Sequence, residues 1–191
     1  MSLDPDNQKI LDMMKAAGHP PVNELQPDEA RKMYRASRGA LQPELPDVAE
    51  LRDLSAPGPA GDIPLRLYRG IGTKPGPLPL LAFYHGGGYV IGDFDTHDYV
   101  CRKIANVAQC CVIAVDYRLA PEHKFPAAVE DAAAGCAGSC RKHKIFRSTR
   151  RVSRSAAIAP AAIYRRTWRI FRAMASYLRC ASKCFFIPGR T

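Results

Sequence analysis

His85-Gly86-Gly87-Gly88 is the stretch of this chain whose residue types and spacing could do chemistry. Three successive glycines let the backbone take dihedrals closed to other residues and bring N–H groups close to a ligand. Two N–H groups aimed at one point stabilise a developing alkoxide, each lowering the barrier by about 3 kcal/mol. The plainer alternative for the same residues is a glycine turn joining a strand to a helix. His97 and His123 carry imidazoles that titrate near neutrality and could act as general bases. Ser139, Ser148, Ser153 and Ser155 lie downstream, but no G-x-S-x-G sequence surrounds any of them. Cys136 and Cys140, then Cys180 and Cys184, repeat one loose spacing that four zinc-bound thiolates could use. No metal or organic cofactor is assigned on that basis. Seven cysteines make an odd set without a secretory context, so no disulfide framework is expected, and Cys110 and Cys111 read as small buried residues.

The elements that must hold these residues follow from periodicity. Asp6 is expected to cap a helix carrying Ile10, Leu11, Met13 and Met14, stopped at Gly18-His19-Pro20-Pro21. Pro27-Asp28-Glu29 opens a second helix, with proline and acids where the first-turn N–H groups favour them, and Pro43 and Pro46 end it. From Val48 the period drops to two. Residues 50–54 and 63–68 read as strands about a turn at Ala56-Pro57-Gly58-Pro59-Ala60-Gly61. Leu78 to Tyr84 and Cys110 to Asp116 are continuous apolar runs suited to strands buried on both faces. Between them, Asp95 to Cys110 is helical, with Val100, Ile104 and Val107 spaced for one face, and Pro126 to Ala134 opens another helix. Strand, helix, strand, helix with buried strands predicts a parallel sheet wrapped by helices.

With the glycine loop in this setting, the sequence resembles the bacterial hormone-sensitive-lipase-like carboxylesterases of the α/β-hydrolase fold. The matching residues are His85-Gly86-Gly87-Gly88-Tyr89 and Gly92-Asp93-Phe94-Asp95-Thr96-His97-Asp98. They continue in Val115-Asp116-Tyr117-Arg118-Leu119-Ala120-Pro121-Glu122-His123 and Phe125-Pro126-Ala127-Ala128-Val129-Glu130-Asp131. The resemblance covers about residues 1–134 and implies ester hydrolysis by a Ser-His-Asp triad. It implies that backbone N–H groups of Gly87 and Gly88 face the oxyanion, with Gly86 in the loop and His85 holding it. It also implies that Tyr117, Arg118 and Glu122 bond to each other or to loops. The family's base lies far downstream, so His97 and His123 are expected to be structural. The nucleophile of the family sits in a Gly-Asp-Ser-Ala-Gly elbow, which this chain lacks along with the triad acid and base.

Charge divides the chain at the same place. Residues 1–134 hold fourteen Lys/Arg and all eighteen Asp/Glu, a balance of −4, whereas residues 135–191 hold fourteen Lys/Arg and no acid. With acids at about one residue in eight, such an acid-free stretch arises by chance on the order of once in a thousand. Out-of-frame translation accounts for it. Read in the neighbouring frame, the codons for Ser155 to Tyr164 permit Gly-Gly-Asp-Ser-Ala-Gly-Gly-Asn-Leu, the missing elbow. Those for Arg179 to Gly189 permit Leu-Arg-Phe-Gln-Val-Leu-Phe-Tyr-Pro-Gly, resembling the family's next strand. The alternative is a genuine basic segment. Arg165 to Lys183 would then form an amphipathic helix with Trp168, Phe171, Met174 and Leu178 on one side, suited to anionic membranes or non-specific nucleic-acid contacts.

The expectation is therefore an α/β chain: the N-terminal half of an α/β-hydrolase sheet with N-terminal cap helices, incomplete. Its parts are cap helices at 1–45, core at 46–134 and the anomalous tail at 135–191. The intact family acts on small acyl esters, while this chain as written is expected to be inactive and its exposed parallel edge to favour aggregation. No apolar run reaches the ~18 residues of a membrane span. The acidic start lacks the apolar core of a secretory signal, so a cytoplasmic location is expected. No sequence-specific nucleic-acid partner is expected.

Overall fold

The computed structural model describes residues 3–18, 20–76, 78–142 and 154–157. The basic helix proposed for Arg165–Lys183, Ser148, Ser153, Cys180, Cys184 and most of the out-of-frame segment lie outside the described residues.

Helix α1, Pro5–Ala16, is capped two residues earlier than expected. The Asp4 carboxylate accepts the Asp6 N–H at 2.9 Å, and Pro5 sits in the first turn, where its missing donor costs nothing. None of its residues is buried, and Ile10, Leu11, Met13 and Met14 all face out. Helix α2, Pro27–Leu41, opens at the expected proline and stops at Gln42, whose ψ of 139° is the extended conformation forced on a residue before Pro43.

Strands β1, Glu50–Gly58, and β2, Gly61–Arg69, form a tight antiparallel hairpin with Gly58 opposite Gly61. The wide turn expected over residues 56–61 is thus only Pro59-Ala60. Ala56 is fully buried opposite Ile63, and this burial carries the strand onward. Pro57 is tolerated because β1 is an edge strand. Strands β3, Leu80–Tyr84, and β4, Cys111–Val115, run parallel, and β5, Arg154–Ala157, lies parallel to β3 on its other side. The order is β1-β2-β4-β3-β5. The sheet is therefore mixed rather than wholly parallel: β1 and β2 join as a hairpin, and β2 pairs antiparallel with β4. β5 covers the outer edge of β3 and is itself the edge strand on that side among the described residues.

Both sheet faces are covered, which explains why β3 and β4 show no alternation. Leu65, Leu67, Ala82, Ile113 and Val115 face helix α4, Ala127–Lys142, where Ala128 and Ala132 complete that layer. Tyr68, Phe83, Val112 and Ala114 face the opposite helix, α3, Asp98–Ala108, through Cys101 and Ala105. The expected stripe of α3 is rotated: Val100 and Ile104 are partly buried, but Val107 is 73% exposed. The residues in deepest contact with the sheet are the small Cys101 and Ala105, which let the helix approach closely. Cys110 and Cys111 are buried as expected.

Candidate active site

The strand order fixes where a ligand would bind. From β3 the chain crosses to β4 on one side through α3, and from β4 to β5 on the other side through α4. β3 is thus a topological switch point, and in such sheets ligands sit beyond the carboxyl ends of the strands. His85-Gly86-Gly87-Gly88 leaves β3 at that end.

The loop folds on itself because its glycines allow it. Gly87 has φ +133° and Gly88 φ +61°, and Tyr89 follows at φ +65°, a left-handed conformation rare outside glycine. The N–H groups of Val90 and Ile91 both donate to the Gly87 carbonyl at 3.0 Å. The N–H groups of Gly87 and Gly88 donate to no described acceptor.

His85 is a buried support beneath the loop. Its Nδ1 lies 2.9 Å from the Gly86 carbonyl oxygen, which can only accept, so Nδ1 carries the proton. The Tyr117 hydroxyl donates to the His85 carbonyl at 2.6 Å, and the two rings stack with centroids 4.4 Å apart. Burial holds the His85 imidazole below its ordinary range. Its Nε2 has no hydrogen-bond partner and faces Asp116 Oδ1 at 4.0 Å. Burial, then the nearby Asp93 charge, raises the Asp116 carboxyl to about 6.

His97 lies 5.5 Å from the His85 ring and is buried, with Nδ1 against the Thr96 hydroxyl at 3.0 Å. Burial, then His85 and Arg38, pushes it down to about 4. His97 is thus neutral in the fold but charges in the unfolded chain below about pH 6.5. The stability it contributes is complete above that pH and is lost as pH falls towards 4, by at most about 3 kcal/mol. Asp116, raised in the fold, acts with the opposite sign as pH rises from 3.8 to about 6. Subtracting a His97→Asn variant from the wild type isolates the histidine. Denaturant unfolding should show the difference between them shrinking by about 2 kcal/mol from pH 7 to pH 4.5. An unchanged difference would refute a neutral buried imidazole.

The motif after β4 is spread over three separate contacts instead of bonding within itself. Tyr117 supports His85. Arg118 gives the Asp131 carboxylate bonds from its backbone N–H, Nε and NH2 at 3.0, 2.7 and 2.8 Å, fastening α4 to the loop. Glu122 receives both NH1 and NH2 of Arg31 at 2.9 and 2.7 Å, which holds its carboxyl down at about 2. His123 is exposed on the same loop. Sequence reasoning missed Arg31, Arg35 and Asp131. The available signal was the spacing of Arg31, Arg35 and Arg38 along one face of α2. Arg35 pairs with Asp93, whose Oδ1 accepts the Thr96 N–H at 2.8 Å. Among the described residues, no three His, Cys, Asp or Glu side chains converge as a metal site requires, and no helix is long and apolar enough to cross a membrane.

A switch-point loop of this kind, with α3 and α4 on opposite faces, is the arrangement of the α/β-hydrolase fold, and residues 81–156 match a family model described as the alpha/beta hydrolase fold. Within it, the chain is homologous to esterase/lipase-family hydrolases. It is 46% identical over 134 residues to carboxylic ester hydrolase LipN of Mycobacterium tuberculosis, covering 69% of this chain and 34% of that protein. It is 51% identical over 94 residues to esterase LipI of the same organism, covering 47% of this chain and 29% of that protein. An ester hydrolase from the metagenome of Lake Arreo superposes with TM-score 0.78 at 35% identity, over 95% of this chain and 57% of its own. The chain spans about a third of the length of the curated relatives it matches.

Proposed function

We propose that the complete protein hydrolyses carboxylic esters of small acyl groups, with the N–H groups of Gly87 and Gly88 as its oxyanion donors. The observation that carries this is the pair of N–H groups, at the carboxyl end of β3, that donate to no acceptor among the described residues, in a chain homologous to ester hydrolases. His85 supports the loop as a neutral imidazole whose Nδ1–H donates to the Gly86 carbonyl. A serine delivered beside the loop would attack the acyl carbon, and the carbonyl oxygen would take the negative charge against these donors. The pair is fixed before reaction, so no reorganisation is needed as the charge forms.

The nucleophile is not in the 191 residues as written, which contain no G-x-S-x-G. A frame change near Ala134–Gly135 supplies it. The elbow in the neighbouring frame begins at Ser155, inside β5, the strand next to β3. The triad acid and base would follow later in that restored frame.

The test is an assay of two chains. The 191-residue chain should hydrolyse a short p-nitrophenyl ester no faster than a heat-treated control. The chain with its frame restored at codons 134–135 should turn over the ester and be labelled by a serine-directed phosphonate. A restored chain that folds but neither turns over nor labels would overturn the proposal.

A further inference from the structure

Helix α2 is fastened to the body by polar contacts made almost wholly with loops that flank the candidate site. Ala30 is its one buried apolar residue among those described. Arg31 Nε donates to the Val90 carbonyl at 2.8 Å, and NH2 donates to the Ala120 carbonyl at 3.0 Å and to Glu122. One guanidinium thus bridges the end of the glycine loop and the loop after β4. Those loops also meet directly, the Ala120 N–H donating to the Tyr89 carbonyl at 2.8 Å. Val90 closes the turn in which Val90 and Ile91 N–H both bond Gly87. A displacement of Val90 therefore reaches Gly87 and Gly88 through hydrogen bonds alone.

We infer that Arg31 is a positioning residue, which sets the direction of the Gly87 and Gly88 N–H groups by clamping Val90 to Ala120 and Glu122. The inference rests on the proposed oxyanion role of those groups for its functional meaning, but not for its test. A planar fork spans two carbonyls and a carboxylate at once; a lysine ammonium keeps the charge near Glu122 and Asp28 but loses the fork. A merely structural ion pair would be restored by lysine, whereas the clamp would not.

The test is amide hydrogen exchange on the 191-residue chain and its Arg31→Ala, Arg31→Lys and Glu122→Gln variants, together with thermal unfolding. Both Arg31 variants should speed exchange at Val90 and Ile91 about tenfold, while amides of β4 stay within about twofold. Arg31→Lys should keep the wild-type melting temperature, and Glu122→Gln, with both carbonyls still held, should change the loop less than about threefold. Unchanged loop exchange in Arg31→Ala, rescue by Arg31→Lys, or an equal rise in β4 would overturn the inference. If Arg31→Ala fails to fold, Arg31→Lys and Glu122→Gln decide it. Exchange requires no ester turnover, so a frame-restored chain without hydrolysis would overturn the proposed function and leave this result standing.

Discussion

Gly87→Ala destabilises the chain by more than about 3 kcal/mol, whereas Gly88→Ala one position later costs about 1–2 kcal/mol. Both glycines have positive φ, so both substitutions bear a backbone penalty. They differ in the space around them. A Cβ on Gly87 would overlap the Ile91 carbonyl oxygen and lie 2.7 Å from its carbon, and that carbonyl belongs to the turn Gly87 itself closes. Backbone on both sides of the overlap leaves nothing flexible to give way. A Cβ on Gly88 meets nothing within 4 Å. Denaturant midpoints of the two variants measure the contrast directly, and equal losses would contradict the loop conformation described above. Alanine keeps its N–H, so a folded Gly88→Ala protein should retain the donor.

Asp131→Ala is expected to cost about 3 kcal/mol. Asp131 is 2% exposed and takes three donors from one residue, Arg118. Removing the carboxylate leaves one backbone N–H unpaired and the guanidinium with only the Glu130 carboxylate, 3.9 Å away. The arginine side chain retains 26% exposure, so it can turn towards water, which keeps the loss at the lower end of the range for broken buried pairs. Against a domain stability of about 5–15 kcal/mol, this is a large fraction. A loss below about 1 kcal/mol in urea unfolding would mean that the pair forms without holding α4 to the loop.

What could be read in the sequence depended on how local its cause was. The start of α2 at Pro27, the doubly buried runs of β3 and β4, and the glycine loop after Tyr84 are written in contiguous residues, and the structure has them there. Ala56, read in the sequence as the start of the turn, carries β1 past its expected end because Ile63 faces it across the hairpin. The cap of α1 lies at Asp4 rather than Asp6 because Pro5 takes the first helical position, where its missing N–H costs nothing. The supports of the site were hidden for a different reason. Arg31 reaches Val90 across 59 residues and Ala120 across 89, and no spacing rule connects positions so far apart. β5 was hidden too, since Arg154-Ser155-Ala156-Ala157 has neither length nor an apolar pattern and takes its place by pairing with β3.

The register of the three parallel strands has a geometric result for the site. Tyr84, the last residue of β3, stands opposite Val115 at the end of β4 and Ala157 at the end of β5. The three strands finish level, as a straight rim. Neighbouring strands are ~4.8 Å apart, so both flanking strand ends lie within one such step of the point where His85 begins. A group mounted at the end of β5 therefore starts one strand spacing from the residue that opens the glycine loop, a reach set by the backbone ladder itself. Slipping β5 by a single residue along β3 would offset the rim by ~3.3 Å, comparable to a whole hydrogen bond, and would turn the strand's side chains to the opposite face.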